Sequence, residues 1–282
     1  MQFIRYLQSG QSVPEGFSEW SRYCRDFQCP RDYPAASLVG IVSRFINLHA
    51  SIRGENLSNS DIIIREALLC EAELDHWEKR LPAHWEYSTV SSRDTKSSMF
   101  NGPGQSYIYR DLWIGRILDH YRWTRVLVNE LLLRHIERLA SRSPGYDAQR
   151  RKSLAIIYKM ASDICISVSS HSCCHSIQPS KIGFVPAASG IFLLLFTLAV
   201  AGSAVGVPEE LYNWVIKLLE NIGRMAGIQQ ALILARMIKI QRERWALDID
   251  SSPSDIRYGI TTEGTVWCGE LFRLEQPLDS TP

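Results

Sequence analysis

From Ser106 to Ala140 one helical period runs almost without interruption. Tyr109, Leu112, Trp113, Arg116, Ile117, His120, Tyr121, Thr124, Val128, Leu131, Leu132, His135, Ile136 and Leu139 recur every three or four residues on one side. At about 1.5 Å per residue an unbroken helix of this length spans roughly 50 Å. It is expected to be the central strut around which the other elements pack.

The flanking segments carry the same period. Leu38, Ile41, Val42, Phe45, Ile46 and His49 predict a helix that Gly54 stops, and Ser58 with Asp61 has the spacing of a capping box. Ile63, Ala67, Cys70, Leu74, Trp77 and Leu81 then form a second stripe, closed by Pro82. After SRSPGY, Asp147 is placed to cap a helix whose face holds Leu154, Ile157, Tyr158, Ala161, Cys165 and Val168. Pro208, Glu209 and Glu210 start another, with Leu211, Val215, Leu218, Leu219, Ile222 and Met225 inward, and Gly227 separates it from a last helix ending near Leu247. The prediction is an all-α fold, an irregular multi-helix bundle or helical-pair solenoid of about seven helices over 37–248. Residues 1–36, broken by Pro14, Pro30 and Pro34, read as irregular with short helices at most. Residues 86–104, rich in Ser and Gly, read as an exposed linker, and 249–282 as a poorly structured tail.

Thirty-one basic residues against thirty acidic ones leave a net charge of +1, which gives no general attraction to polyanions. The seven cysteines are odd in number and irregularly spaced, unlike a secreted disulfide framework, and the N-terminus has no apolar run of signal-peptide length. Residues 182–208 contain no charge, so a membrane span near 184–205 is an alternative. The strongly apolar part, Ile191–Ala201, is only eleven residues between Pro186, Gly190, Gly202 and Gly206, which favours a buried core helix.

Five pieces, in order, resemble the C-terminal regulatory region of fungal binuclear zinc-cluster transcription factors, the fungal-specific transcription factor domain. They are ALLCEAELDHWEKRLPAHWEY (67–87), YRDLWIGRILDHYRWTRVLVNELLL (109–133), ASDICISV (161–168), AASGIFLLLFTLAVAGSA (187–204) and WVIKLLENIGRMAGIQQALILA (214–235). In that family an acidic helix ending in Trp and Leu-Pro precedes a helix with a Tyr-Arg-x-x-Arg core. Trp77, Leu81 and Pro82, then Tyr121, Arg122 and Arg125, match here, and Gly227, Ile228 and Ala231 match the final helix pair. The likeness spans roughly 65 to 240. It implies an all-helical module that regulates transcription in the nucleus, takes a small effector or a protein partner of the transcription machinery, and has no membrane association or cofactor; no catalytic role is expected, and an all-α enzyme with a buried small-molecule pocket is a further alternative with no residue signature in its favour. The family's DNA-binding cluster holds two zinc ions with six closely spaced cysteines. The pair nearest to that spacing, Cys24 and Cys29, has no partners in range, so sequence-specific DNA binding is not implied for this chain.

Four residues are the candidate contacts for an effector or partner: Tyr121, Arg122, Trp123 and Arg125. Guanidinium groups offer forked donors to an anion. The competing expectation is that the arginines pair with acids such as Asp119 or Glu130. HSCCHS (171–176) supplies four N or S ligands in number, but adjacent cysteines lack the spacing of a zinc site, so no metal is expected. The basic run Arg236, Lys239, Arg242 and Arg244 fits a solvated helix end better than a DNA-binding surface, and RRK at 150–152 is too short for a nuclear signal. Gly-rich phosphate loops, His-Glu-x-x-His and Gly-x-Ser-x-Gly are absent. The acids Glu71, Glu73 and Asp75 lie close, with Glu71 and Asp75 sharing a helical face and Glu73 pointing elsewhere.

Overall fold

The computed structural model describes residues 2–25, 27, 29–91, 104–139, 144–172 and 188–250. Within them the chain is all-α, with nine α-helices and one two-stranded ribbon. The helices are α1 (Gln2–Ser9), α2 (Glu15–Arg25), α3 (Tyr33–Arg53), α4 (Ser60–Lys79), α5 (Leu112–Arg138), α6 (Pro144–Ser172), α7 (Ala188–Ser203), α8 (Glu209–Met225) and α9 (Gln229–Asp250). From α3 onward each helix packs against the next in sequence, and α5 alone touches α3, α4, α6 and α7. One continuous apolar core runs from Leu7 to Ile238.

The count exceeds the expected seven because the N-terminal segment, read as irregular with short helices at most, forms α1 and α2. Leu7 and Val13 from this segment are buried against α3. The Val13 N–H donates to Asn47 Oδ1 at 2.8 Å, and Arg53 Nη1 donates to the carbonyls of Leu7 and Gln8 at 3.3 and 3.0 Å, closing the end of α1.

The linker expectation for 86–104 is also corrected at its start. Tyr87–Ser91 (β1) pairs antiparallel with Gln105–Tyr109 (β2), in a register that sets Tyr87 opposite Tyr109 and Thr89 opposite Tyr107. Residues 92–103 lie outside the described residues. The pairing takes 105–109 away from the long helix, which therefore begins at Leu112, where the Asp111 carboxylate accepts from the Trp113 N–H at 2.9 Å. At 27 residues, α5 is about 40 Å long. Two other starts move. Asn59, not Ser58, caps α4, its side-chain oxygen accepting from the Asp61 and Ile62 N–H groups, and α6 starts at Pro144, with Asp147 inside the first turn.

The stripe on α5 is no longer one-sided. Every residue from Tyr121 to Leu133 is buried, because α3 and α4 cover one flank and α6 and α7 the other. The predicted inward faces of α3 and α8 hold apart from Met225, and that of α6 apart from Tyr158, both of which point to solvent. The apolar helix α7 sits within the core, where Leu194, Leu198, Ala199, Val200 and Ala201 are buried; residues 184–187 of the suggested span lie outside the described residues. Among the described residues one helical stretch, Pro30–Arg53, is long and apolar enough by composition to cross a membrane, and half of its apolar window is buried inside the protein. The C-terminal tail beyond Asp250 lies outside the described residues.

Gly115 fixes the ribbon against α5. A Cβ there would stand 2.7 Å from the Tyr109 ring, so only glycine admits this approach. Gly115→Ala is expected to lower stability by about 1–3 kcal/mol, the usual cost of overpacking. Urea unfolding checks this, and an unchanged midpoint would show that the ribbon is not seated on α5 as described.

Candidate functional site

Burying all sides of α5 drags its polar residues inside, where each needs a partner. Two charged clusters result, on adjoining faces of the helix, with Lys159 of α6 between them at 4.0 Å from Glu78 and 2.8 Å from Asp163. The first faces α4. Arg125 Nε and Nη2 donate to Glu71 Oε1 at 3.0 and 2.7 Å, Nη2 also reaches Asp75 Oδ1 at 3.2 Å, and Nη1 reaches Glu78 Oε2 at 2.9 Å. Glu71, Asp75 and Glu78 stand four and three residues apart, so one face of α4 presents all three carboxylates. Tyr121, whose hydroxyl also meets Arg125 Nη1, donates to Glu78 Oε2 at 2.7 Å. Asn129 Nδ2 donates to Glu71 Oε2 at 2.8 Å. Burial alone would depress the Arg125 guanidinium, but the Glu71 hydrogen bond, Tyr121 and the Glu71 charge more than offset it and raise its pKa. Lys79 above all, with Arg125 behind it, holds the Asp75 carboxyl below the usual carboxylate range.

The second cluster lies between α5, α6 and the ribbon. Arg122 is 2% exposed. Its Nη1 donates to Asp119 Oδ1 at 2.8 Å and to the Tyr109 hydroxyl at 2.7 Å. The guanidinium carbon lies 5.2, 5.6 and 5.8 Å from the ring centres of Tyr107, Tyr87 and Tyr109, so three tyrosines from the two strands surround one cation. Asp119 accepts from Ser167 Oγ at 3.1 Å, and its other oxygen faces His171 Nε2 at 3.3 Å. His171 Nδ1 lies 3.1 Å from the Ser167 carbonyl. The ribbon is tied to α6 by the Tyr107 hydroxyl, which donates to Asp163 Oδ1 at 2.8 Å, and by Ser170 Oγ, which donates to the Tyr107 carbonyl. Burial would lower the Arg122 pKa, yet the oxygens of Tyr109 and Asp119 reverse the sign and raise it, while burial raises the Tyr109 hydroxyl.

The four predicted contact residues are thus all interior, and they face three different neighbours. Tyr121 and Arg125 point to α4, where Tyr121 stacks on Trp77 with ring centres 5.1 Å apart. Arg122 points to α6 and the ribbon. Trp123 points to α7, its ring edge-on to Phe196 at 5.3 Å, and its Nε1 donates to His120 Nδ1 at 2.9 Å. Asp119 does pair with Arg122. Glu130 does not serve Arg125; it accepts from the Val205 N–H at 3.0 Å.

His171, first residue of HSCCHS, lies in the last turn of α6 with its Nε2 3.3 Å from Asp119; Cys173, Cys174, His175 and Ser176 lie outside the described residues. Among the described residues no group of three or more His, Cys, Asp or Glu side chains is placed to hold a metal ion. Two residues of the basic run stitch α9 to α8. Lys239 meets Glu220 at 2.6 Å, Arg242 meets Glu209 at 3.1 Å and lies 4.3 Å over the Tyr212 ring, and Arg236 is exposed.

Sequence reasoning missed Tyr87, Tyr107, Tyr109, Asp163 and Ser167. Tyr107 and Tyr109 had a weak signal, the β-prone run QSYIY, whereas Tyr87 had none, since the rest of YSTVS faces solvent. Asp163 and Ser167 had none, since an acid and a serine four apart on a helix are commonplace. Compared with known proteins, the chain matches no family model, no curated protein and no solved structure.

Proposed function

We propose that the chain is a transcription-regulatory helical module that binds a small effector or a protein partner, as the resemblance to the fungal zinc-cluster regulators implies. In this reading it acts in the nucleus, catalyses no reaction and reads no DNA itself. One observation supports the regulatory part most. A single central helix carries two buried guanidinium groups three residues apart, Arg125 paired with Glu71 of α4 and Arg122 with Asp119 of α5 itself and the Tyr109 hydroxyl of the ribbon.

Apolar contacts between helices tolerate sliding, whereas a buried ion pair has one good geometry and a steep cost away from it. A helix held to α4 through the Arg125–Glu71 pair, and to the ribbon and α6 through the hydrogen bonds that Tyr109 and Ser167 make with its Arg122–Asp119 pair, has discrete packings rather than a continuum. A ligand that binds one packing better than another shifts their populations by its differential affinity. An anionic group competing with Asp119 for Arg122, or with Glu71 for Arg125, has that property.

A fusion of the whole chain to an unrelated DNA-binding domain tests the reading on a reporter gene. Output is expected to differ from that of the DNA-binding domain alone, and Arg122→Met is expected to change it at equal protein abundance. Output indistinguishable from the unfused domain, with or without the substitution, would refute the proposal.

A further inference from the structure

The two buried clusters share one surface lysine. Lys159 of α6 sets its Nζ 2.8 Å from Asp163 Oδ2 and 4.0 Å from Glu78 Oε1. Each of those carboxylates gives its other oxygen to a different cluster. Glu78 Oε2 accepts from Tyr121 and from Arg125 Nη1 at 2.7 and 2.9 Å, whereas Asp163 Oδ1 accepts from Tyr107, whose ring centre stands 5.2 Å from the Arg122 guanidinium. The path from Arg125 to Arg122 therefore leaves α5, passes through α4, α6 and the ribbon, and returns to α5. Along it Arg125, Asp163, Tyr107 and Arg122 are buried, Glu78 is 38% exposed, and only Lys159, at 59%, is mostly in water.

Ion pairs at a surface are usually worth little, but this one has a buried end. Two carboxylates around one ammonium at these distances stand at most about 7 Å apart, close enough to repel through protein once the ammonium is gone. Their freedom to separate is unequal. Asp163 has 11% of its side chain exposed and is held by Tyr107, while Glu78 lies near the surface and can turn to water. In turning out it leaves Tyr121 and Arg125, and α4 loses part of its hold on α5. We propose that Lys159 is a charge latch: its ammonium makes the seating of α4 and the seating of the ribbon one unit, and loss of that charge at the surface releases both. Lys159 acts through Glu78 and Asp163, so it is a positioning residue. The latch belongs to the packing and is measured without the reporter fusion, so its failure is separate from failure of the transcriptional reading.

Hydrogen exchange of the full chain, read by mass spectrometry, tests the proposal. Lys159→Met keeps an apolar stem and removes the charge. It is expected to speed exchange about fivefold or more both in β2 and in residues 71–79 of α4, with α9, which packs on α7 and α8, unchanged and with Lys159→Arg close to wild type. Adding Asp163→Asn to Lys159→Met removes the repulsion but keeps an acceptor for Tyr107. The α4 amides are then expected to return to the wild-type rate, although Asp163 binds Lys159 and Tyr107 and no residue of α4. Should Lys159→Met fail to fold, Lys159→Gln carries the same expectations. The proposal is overturned if exchange rises in the ribbon alone, which would make Lys159 a partner of Asp163 and nothing more. It is equally overturned if neither segment changes, if α9 speeds up as much as they do, or if Asp163→Asn leaves α4 as fast as before.

Discussion

Between pH 7 and pH 4.5 the protein is expected to lose most of its stability, and the imidazoles are the cause. His49, His120 and His135 all lie inside or at the edge of the core, and burial pushes their pKa values down from 6.5 to about 3, about 4 and about 4. Neighbouring cations add to the effect: Arg53 and Arg134 around His49, Arg138 and Arg134 around His135, and Arg116 near His120, where Asp119 pulls the other way. The geometry agrees with a neutral His120, since its Nδ1 accepts the Trp123 N–H and has no room for a proton. His135 Nδ1 lies 3.1 Å from Ser60 Oγ at the start of α4.

Because the folded values lie below the unfolded one, the unfolded chain takes up protons that the native fold refuses. Stability is therefore whole above about pH 6.5 and drains as pH falls toward the folded values. Each group costs about 1.4 kcal/mol at pH 5.5 and about 2.5 kcal/mol at pH 4.5, so three cost roughly 4 and then roughly 7 kcal/mol. Against a typical total of about 5–15 kcal/mol, that is enough to unfold the domain. Lys79 and Lys239 hold Asp75 and Glu220 below the ordinary carboxylate range, so their contributions fade only at lower pH. The window from 6.5 to about 4.5 belongs to the histidines. Urea midpoints measured across this range check the expectation; a midpoint that stays level from pH 7 to pH 5 would sink it, and His120→Gln, which keeps an acceptor for Trp123, should flatten the profile by about one third.

The parts of this fold that were legible in the sequence are those set by local periodicity. Leu38 to His49 and Ile63 to Trp77 are buried as their spacing predicts, and α7 is interior as its short apolar run suggests. On α4, Glu71 and Asp75 do share a face and both reach Arg125, while Glu73 turns away to Arg44. What local spacing could not supply was partners far along the chain. Glu71 and Arg125 are separated by 54 residues; local spacing offers only Asp119 and Glu130, and the packing of α4 on α5 sets the choice. The ribbon was hidden for a related reason. Four of the five β1 residues face solvent, so the strand lacks the apolar face that marks one, and its hydrogen-bond partner lies beyond a Ser-rich stretch. At the N-terminus the prolines did break the period, but Leu7 and Val13 still find α3, which two short helices permit as well as one long one.

The largest single-site effect is expected where α4 meets α5. Glu71→Leu takes from Arg125 its most buried carboxylate and from Asn129 Nδ2 an acceptor, and leaves a guanidinium whose remaining acids, Asp75 and Glu78, are 40% and 38% exposed. Arg125→Met leaves the reverse fault, a carboxylate 3% exposed with no cation beside it. Each substitution is expected to cost about 3–5 kcal/mol, the usual result of stranding one member of a buried pair. Glu71→Leu combined with Arg125→Met removes both charges at once, and apolar side chains of similar volume fill the space, so the double variant is expected within about 1–2 kcal/mol of wild type. Denaturant unfolding of the four proteins closes the cycle. Losses that simply add, with no recovery in the double variant, would mean that the two residues are not partners and that α4 does not dock as described. The same double variant separates stability from regulation: if the ion pair serves to select one packing of α5, the chain stays folded while its effect on the reporter fusion changes, because an apolar seam holds the helices together without dictating where they stop.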